Sequence, residues 1–281
     1  MKRFPSIPAA ISLAVLTVFC SCTRQGSSLR LYTPGIGPDW YNQDISNLAI
    51  SNDADSLARI AIYLSQRYAC DGQKYYAYRL AQKAFELNGE DRYIALSLSH
   101  TAYLLADIEQ DEDRMVEFAE IGLNAAEKAG KEKNDPEANY YYALHLGLVL
   151  KTKGLFALGK LPKLQEALKI SMEKPGQDMG GPLRVLGMLY LSAPAWPQGI
   201  GDIEKALELL SEASVRYPAH PQNHIFYAKA LIEDDDYENA AAALQKAEKM
   251  AIEEIWGPHY MKKWTDDIKQ LQKKIPQKND E

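Results

Sequence analysis

Small and large side chains recur at fixed positions along this chain with the period of a helix pair, and that recurrence restricts the fold more than any single motif does. Near the C-terminus, Tyr227 and Ala228 lie on one helical run, Leu231 follows one turn later, and Tyr237, Ala240, Leu244 and Ala247 occupy a second run. Two helices cross closely only where one offers a small side chain and the other a large one. One unit upstream, Leu186, Gly187 and Tyr190 take the first-helix positions, and Ala206, Leu210, Ala213 and Pro218 take the second. Pro221 then opens the next helix, where its fixed φ and missing N–H do no harm. An N-terminal unit repeats the spacing with Leu64, Ser65 and Tyr68, then Ala77, Ala81 and Ala84, and Gly89 ends its helix. Between these lie two looser units. One carries Leu98, Ser99 and Ala102, then Ala119, Leu123 and Ala126; the other opens at Asp135-Pro136 and carries Leu146, Gly147 and Leu150.

This spacing is the tetratricopeptide register, and no alternating strand-like run competes with it. The expected fold is all-α: a tetratricopeptide-like helical-repeat solenoid of about five helix pairs over residues 45–281. A last helix from about Pro258 to Lys274 is expected to act as the cap that solenoids require, with Trp256 and Trp264 covering the final repeat.

The chemistry of known enzymes is missing from the sequence. Five histidines include no HExxH pair; His220 and His224 are four apart, but Pro221 starts a helix between them. Gly199-Ile200-Gly201 lacks the third glycine and the preceding strand of a dinucleotide fingerprint. These absences predict a binding protein rather than an enzyme, without cofactor or metal. A net charge of −6 over 281 residues gives no field to attract phosphates, so nucleic acid is not an expected partner. Lys262, Lys263, Lys269, Lys273 and Lys274 are diluted by Asp266 and Asp267 and read as a solvated helix face. Cys70, alone in the body, reads as a small buried hydrophobe.

The N-terminus reads as an export address. Lys2 and Arg3 precede an apolar stretch over residues 9–19, shorter than the roughly 20 residues that span a bilayer. The segment Val18-Phe19-Cys20-Ser21-Cys22 resembles the lipobox of bacterial lipoproteins. Cys22, after the small Ser21, fits the lipidated position better than Cys20 after Phe19. Phe19 stands where such motifs carry an aliphatic residue, which leaves ordinary cleavage and an uncleaved anchor open. Residues 1–22 are thus expected to be a lipoprotein-type signal peptide and 23–44 a flexible tether rich in Gly, Ser and Pro. Thr23 is not the aspartate that retains enteric lipoproteins in the inner membrane, so the expected location is the outer membrane, facing the periplasm.

In the fourth unit Gly187 and Ala206 stand 19 positions apart, whereas Ala228 and Ala240 stand 12 apart, so seven extra residues separate the helices. They fall within Ala193-Pro194-Ala195-Trp196-Pro197-Gln198-Gly199-Ile200-Gly201, and Asp202 follows as an N-cap. Trp196 between two prolines either covers a ligand opening, docks a partner, or tucks under the loop as filler.

Together with this loop, the runs Gly180-Gly181-Pro182-Leu183-Arg184-Val185-Leu186-Gly187-Met188-Leu189-Tyr190 and Pro221-Gln222-Asn223-His224 resemble the TRAP transporter T-component (TatT-like) family. The similarity is clearest over residues 180–247. It implies a periplasmic, lipid-anchored helical-repeat protein that cooperates with the solute-binding protein of a TRAP uptake system, and it implies no catalytic residue.

Projecting the register places Tyr93, Leu96, His100 and Tyr103, then Tyr141, Leu144 and Leu148, on the concave side of the solenoid, the surface such proteins use for binding. Arg184, Met188 and Leu191 follow in the fourth unit, and Ile225, Lys229 and Ile232 in the fifth. Most are apolar or aromatic, which suits a greasy cavity or a partner helix, with Arg184 and Lys229 placed to hold one carboxylate at its edge. The same side chains would equally fill a tightly wound superhelix. Two functions remain open: an accessory of solute uptake that takes an apolar small molecule alongside a binding protein, and a general cell-envelope scaffold.

Overall fold

Aspartate caps open most of the described helices. The computed structural model of the protein describes residues 53–65, 71–130, 134–152 and 159–276. Cys20, Cys22, the segments 1–22 and 23–44, Tyr68 and Cys70 lie outside the described residues. Eleven helices are described: α1 (Ala54–Leu64), α2 (Asp71–Asn88), α3 (Arg92–Ile108), α4 (Glu112–Lys128), α5 (Pro136–Lys151), α6 (Leu161–Ser171), α7 (Gly181–Ser192), α8 (Ile203–Arg216), α9 (Pro221–Glu233), α10 (Tyr237–Met250) and α11 (Glu253–Gln272). Aspartates 53, 91, 111, 135, 202 and 236 cap α1, α3, α4, α5, α8 and α10, each accepting from a backbone N–H in the first turn.

Consecutive helices pack as antiparallel pairs, and the first helices α1, α3 and α5 also stack on one another, as do α7 and α9. The five pairs and the last helix therefore form a solenoid. The small positions of the repeat are the tightest contacts: Ala77, Ala81, Ala84, Ala102, Ala119, Ala126, Ala206, Ala213, Ala228, Ala240 and Ala247 are all 0% exposed. At Gly187 a β-carbon would come within 2.7 Å of Leu210, which is why the fourth pair takes glycine there. Burial of the facing large residues, Leu210 and Leu244 among them, contributes roughly 2 kcal/mol each.

In the N-terminal unit the described part of the first helix runs to Leu64, the Ser65 N–H reaching the Ala61 carbonyl and its hydroxyl donating to the Ile62 carbonyl. Within α11, residues 253–256 form a short helical run that Gly257, non-helical at φ 77° and ψ 161°, separates from the longer helix opening at Pro258, where the sequence placed the start of the cap. Beyond that break, Trp264, Ile268 and Leu271 bury against α9 and α10 with Trp256, whose ring meets Trp264 edge-on at 5.1 Å. His220, the N-cap of α9, lies against both indoles, and His224 hydrogen-bonds the Pro218 carbonyl, so both histidines serve the fold.

Candidate functional site

Between the third and fourth pairs the chain does not turn directly. Residues 172–180 form a run of turns in which Asp178, Met179 and Gly180 all have positive φ. This run carries the Asp178 carboxylate to the concave side. There it accepts from the Arg184 guanidinium at 2.7 Å and from the Tyr140 hydroxyl at 3.1 Å. The other side of the guanidinium donates to Asn223 Oδ1 at 2.7 Å, so one buried arginine joins α5, α7 and α9 through two neighbours. Two glycines make room for this junction. A β-carbon on Gly181 would meet the Tyr140 hydroxyl oxygen at 2.2 Å, and Gly180, at φ 88°, presses against Tyr217.

Rings from three helices gather around that centre. His100 Nδ1 and the Tyr141 hydroxyl hydrogen-bond at 2.8 Å, with the rings edge-on at 5.6 Å. Tyr103, one turn along α3 from His100, stands edge-on to His145 at 6.0 Å. Tyr260 comes from α11. His100, Tyr103, Tyr141 and Tyr260 each keep part of their surface accessible to solvent, yet desolvation is the largest influence on the ionisation of every one. The four half-buried rings come together where α3, α5 and α11 meet, and the space they border is called the recess. Desolvation lowers the His100 pKa and raises those of the three phenols, with the nearby Asp178 carboxylate pushing each phenol further up. The buried Gln177 amide lies within hydrogen-bonding reach of the Tyr141 hydroxyl. The recess thus offers aromatic faces, protonated phenols and an amide, a set suited to stacking and hydrogen bonding.

Of the residues expected on the concave face, His100, Tyr103 and Tyr141 come together here, and Met188 on α7 is half-buried. Others do not join them. Leu96 and Leu144 are buried, Leu96 within a small cluster with Ala95, Ala129 and Ala138. Ile225 and Ile232 belong to the core beneath α11, because that helix covers the concave side of the last pair. Arg184 does not share a carboxylate with Lys229. Its guanidinium is already held by Asp178 and Asn223, while Lys229 lies near Asp267 on α11. Tyr93 is exposed at the start of α3, with the Arg59 guanidinium 5.4 Å over its ring. Trp196 is 85% exposed; it does not tuck beneath its loop, which is pinned by the Gly201 N–H to the Pro194 carbonyl and by the Asp202 N–H to the Tyr190 carbonyl.

Several residues were not visible in sequence. Asp178, Tyr140 and Gln177 carried no pattern of their own, although positive-φ turns before Gly180-Gly181 are signalled by the paired glycines. Lys263 is not part of a fully solvated face: its ammonium pairs with Asp107 of α3 at 2.9 Å.

No protein family matches the chain by its sequence profile, and no curated protein matches it by sequence. Among solved structures it is similar to a thermophilic TPR protein of Thermus thermophilus, with a TM-score of 0.55 at 14% identity, over 76% of this chain and 98% of that one. Yeast Tom70 aligns with a TM-score of 0.43 at 16% identity, over 81% of this chain and 48% of that one. YrrB, a TPR protein with an unusual peptide-binding site, aligns with a TM-score of 0.38 at 17% identity, over 80% and 98% of the two chains. The last two scores add nothing to the assignment; the first, together with the stacked helix pairs, makes this chain a tetratricopeptide-like helical-repeat solenoid.

Proposed function

We propose that this protein is a non-enzymatic, lipid-anchored binding protein of the cell envelope, tethered through Cys22 at the outer membrane and facing the periplasm. Its recess holds a small, largely apolar molecule with one or two hydrogen-bonding groups, as an accessory to a TRAP-type uptake system and its solute-binding protein. The observation that carries this reading is the convergence of His100, Tyr103, Tyr141 and Tyr260, each partly open to solvent inside the protein body. Aromatic walls with few polar groups are the usual make-up of a small-ligand site. Support for the anchor is the signal-like segment ending at Cys22, and support for the uptake system is the resemblance over residues 180–247.

Native mass spectrometry of the full chain purified from cells tests the ligand. A bound mass is expected on the parent and is expected to be lost or reduced about tenfold in Tyr103→Ala and Tyr141→Ala, in line with roughly 1.4 kcal/mol for each lost stacking contact. A parent that arrives without any adduct, under conditions that keep it folded, sinks the reading.

A second reading, a general scaffold for envelope proteins, is favoured by the 85% exposure of Trp196 on a pinned loop. Tryptophan is a frequent anchor in protein interfaces. A protein partner captured by the parent and lost with Trp196→Ala supports it.

A further inference from the structure

The last helix makes two sets of contacts. Trp264, Ile268 and Leu271 bury against the final helix pair, Tyr260 packs at the edge of that cluster with its ring stacked on Trp264 at 5.5 Å, and Lys263 follows three residues later on the same side as Tyr260. Those two reach the opposite end of the solenoid. Lys263 Nζ lies 2.9 Å from Asp107 Oδ1 on α3, across 156 positions of sequence. Lys74 of α2, itself 2% exposed, places its ammonium 5.2 Å from the centre of the Tyr260 ring. The apolar clusters do not make this crossing. The cluster of α1 to α4 contains no residue of α11, and the cluster that holds α11 contains none of α1 to α4. Among the described residues, the ends of the array are therefore joined by polar contacts of Lys263, Lys74 and the Tyr260 hydroxyl, which hydrogen-bonds Asp107, beside the recess that Tyr103 and Tyr260 line.

Such contacts are weak and reversible. The Lys263 and Asp107 side chains are 36% and 16% exposed, so solvent and salt screen their attraction. Among the described residues, the Lys263 and Lys74 contacts and the hydrogen bond between Tyr260 and Asp107 part when the two ends separate, while the buried tryptophans keep α11 on its own repeat.

We propose that α11 is a clasp: Lys263 on Asp107 and Lys74 on the Tyr260 ring hold the solenoid closed over the recess, and their release is the route by which a ligand passes. The passage rests on the recess being the binding site; the closure does not.

The test uses the full chain and no ligand. Carbodiimide treatment joins a carboxylate to an amine already in contact, so it is expected to link Asp107 to Lys263 and to leave no such product in Lys263→Gln. Nitration by tetranitromethane, mapped by mass spectrometry at Tyr103 and Tyr260, then reads access. Lys263→Glu sets two carboxylates against each other and is expected to speed nitration of both tyrosines about fivefold or more; the exchanged pair Asp107→Lys with Lys263→Glu is expected to return within about twofold of the parent. Absence of the cross-link, or nitration of Lys263→Glu at the parent rate, overturns the clasp, as does an exchanged pair that stays as fast as the single variant. Should Lys263→Glu lose its helical circular dichroism, Lys263→Gln decides the question in its place, with faster nitration expected. A clasp over an empty recess gives the full nitration pattern and fails the adduct measurement, so the two ideas fail separately.

Discussion

Gly181 and Tyr140 meet so closely that a single added methyl group would lie 2.2 Å from the tyrosine hydroxyl oxygen and 2.6 Å from its ring carbon Cζ. Tyr140 is 1% exposed and cannot move aside without giving up its hydrogen bond to Asp178. Gly181→Ala is therefore expected to destabilise the protein by about 2 kcal/mol, the range for overpacking a filled core. Urea unfolding measures this. The double variant with Tyr140→Phe should lose less than the sum of the two single changes, because removing the hydroxyl relieves the closer of the two clashes.

Arg184 is the second point of stress at this junction. Its removal leaves the Asn223 carbonyl oxygen without its donor and the Asp178 carboxylate without its cation. Asp178 is 40% exposed, so water takes over part of that role and the expected loss for Arg184→Met is about 2 kcal/mol rather than the larger figure for a fully buried pair. Lys229→Ala, by contrast, should stay within about 0.5 kcal/mol. Thermal melting of both variants checks the contrast, and an Arg184→Met protein as stable as its parent would show that the guanidinium serves something other than the fold.

His145 gives the solenoid an acid limit. Its Nε2 donates to the Ser99 carbonyl, which can only accept, and its Nδ1 is buried without a partner. Burial pulls its pKa down from 6.5 to about 4. Between those values the unfolded chain binds the proton and the folded chain does not. The stabilisation is complete above pH 6.5 and is lost as the pH falls toward 4, by about 3 kcal/mol in all. His100, His224 and His259 are lowered too and steepen the same limb. Urea midpoints from pH 7 to pH 4 should fall steeply in the parent and less steeply in His145→Gln.

Trp196 should be dispensable for folding. With 85% of its surface in water, Trp196→Ala is expected to change stability by less than about 0.5 kcal/mol, measured by thermal melting. A loss above about 2 kcal/mol would instead make the indole part of the packing, and would remove the ground for the scaffold reading.

What the sequence revealed was local. The small and large positions of the repeat, the N-caps at Asp135 and Asp202 and the helix start at Pro221 depend on residues within one or two turns of each other, and each is where the register puts it. The extra residues of the loop at Ala193–Gly201 were legible for the same reason. The recess was legible only in part. His100, Tyr103 and Tyr141 follow from the repeat register, since first helices face inward. Asp178 on Arg184, and Lys263 on Asp107, follow from how far the superhelix turns over several pairs, and small rotations at each junction accumulate without a mark in the residue pattern. The cap shows both sides: Trp256 and Trp264 were readable as a cover for the last pair, whereas the contacts of Tyr260 and Lys263 with the first pairs gain meaning only once α2 and α3 come round to meet them.

The meeting of Lys263 with Asp107 also depends on how long this array is. Each added pair would carry the final helix further around the axis and along it, and each deleted pair would leave it short, so no member with a different number of pairs could retain the bond at unchanged pitch. A repeat protein is ordinarily free to lengthen or shorten by whole units at little penalty. Here a change in the number of pairs would break the contact between the two ends.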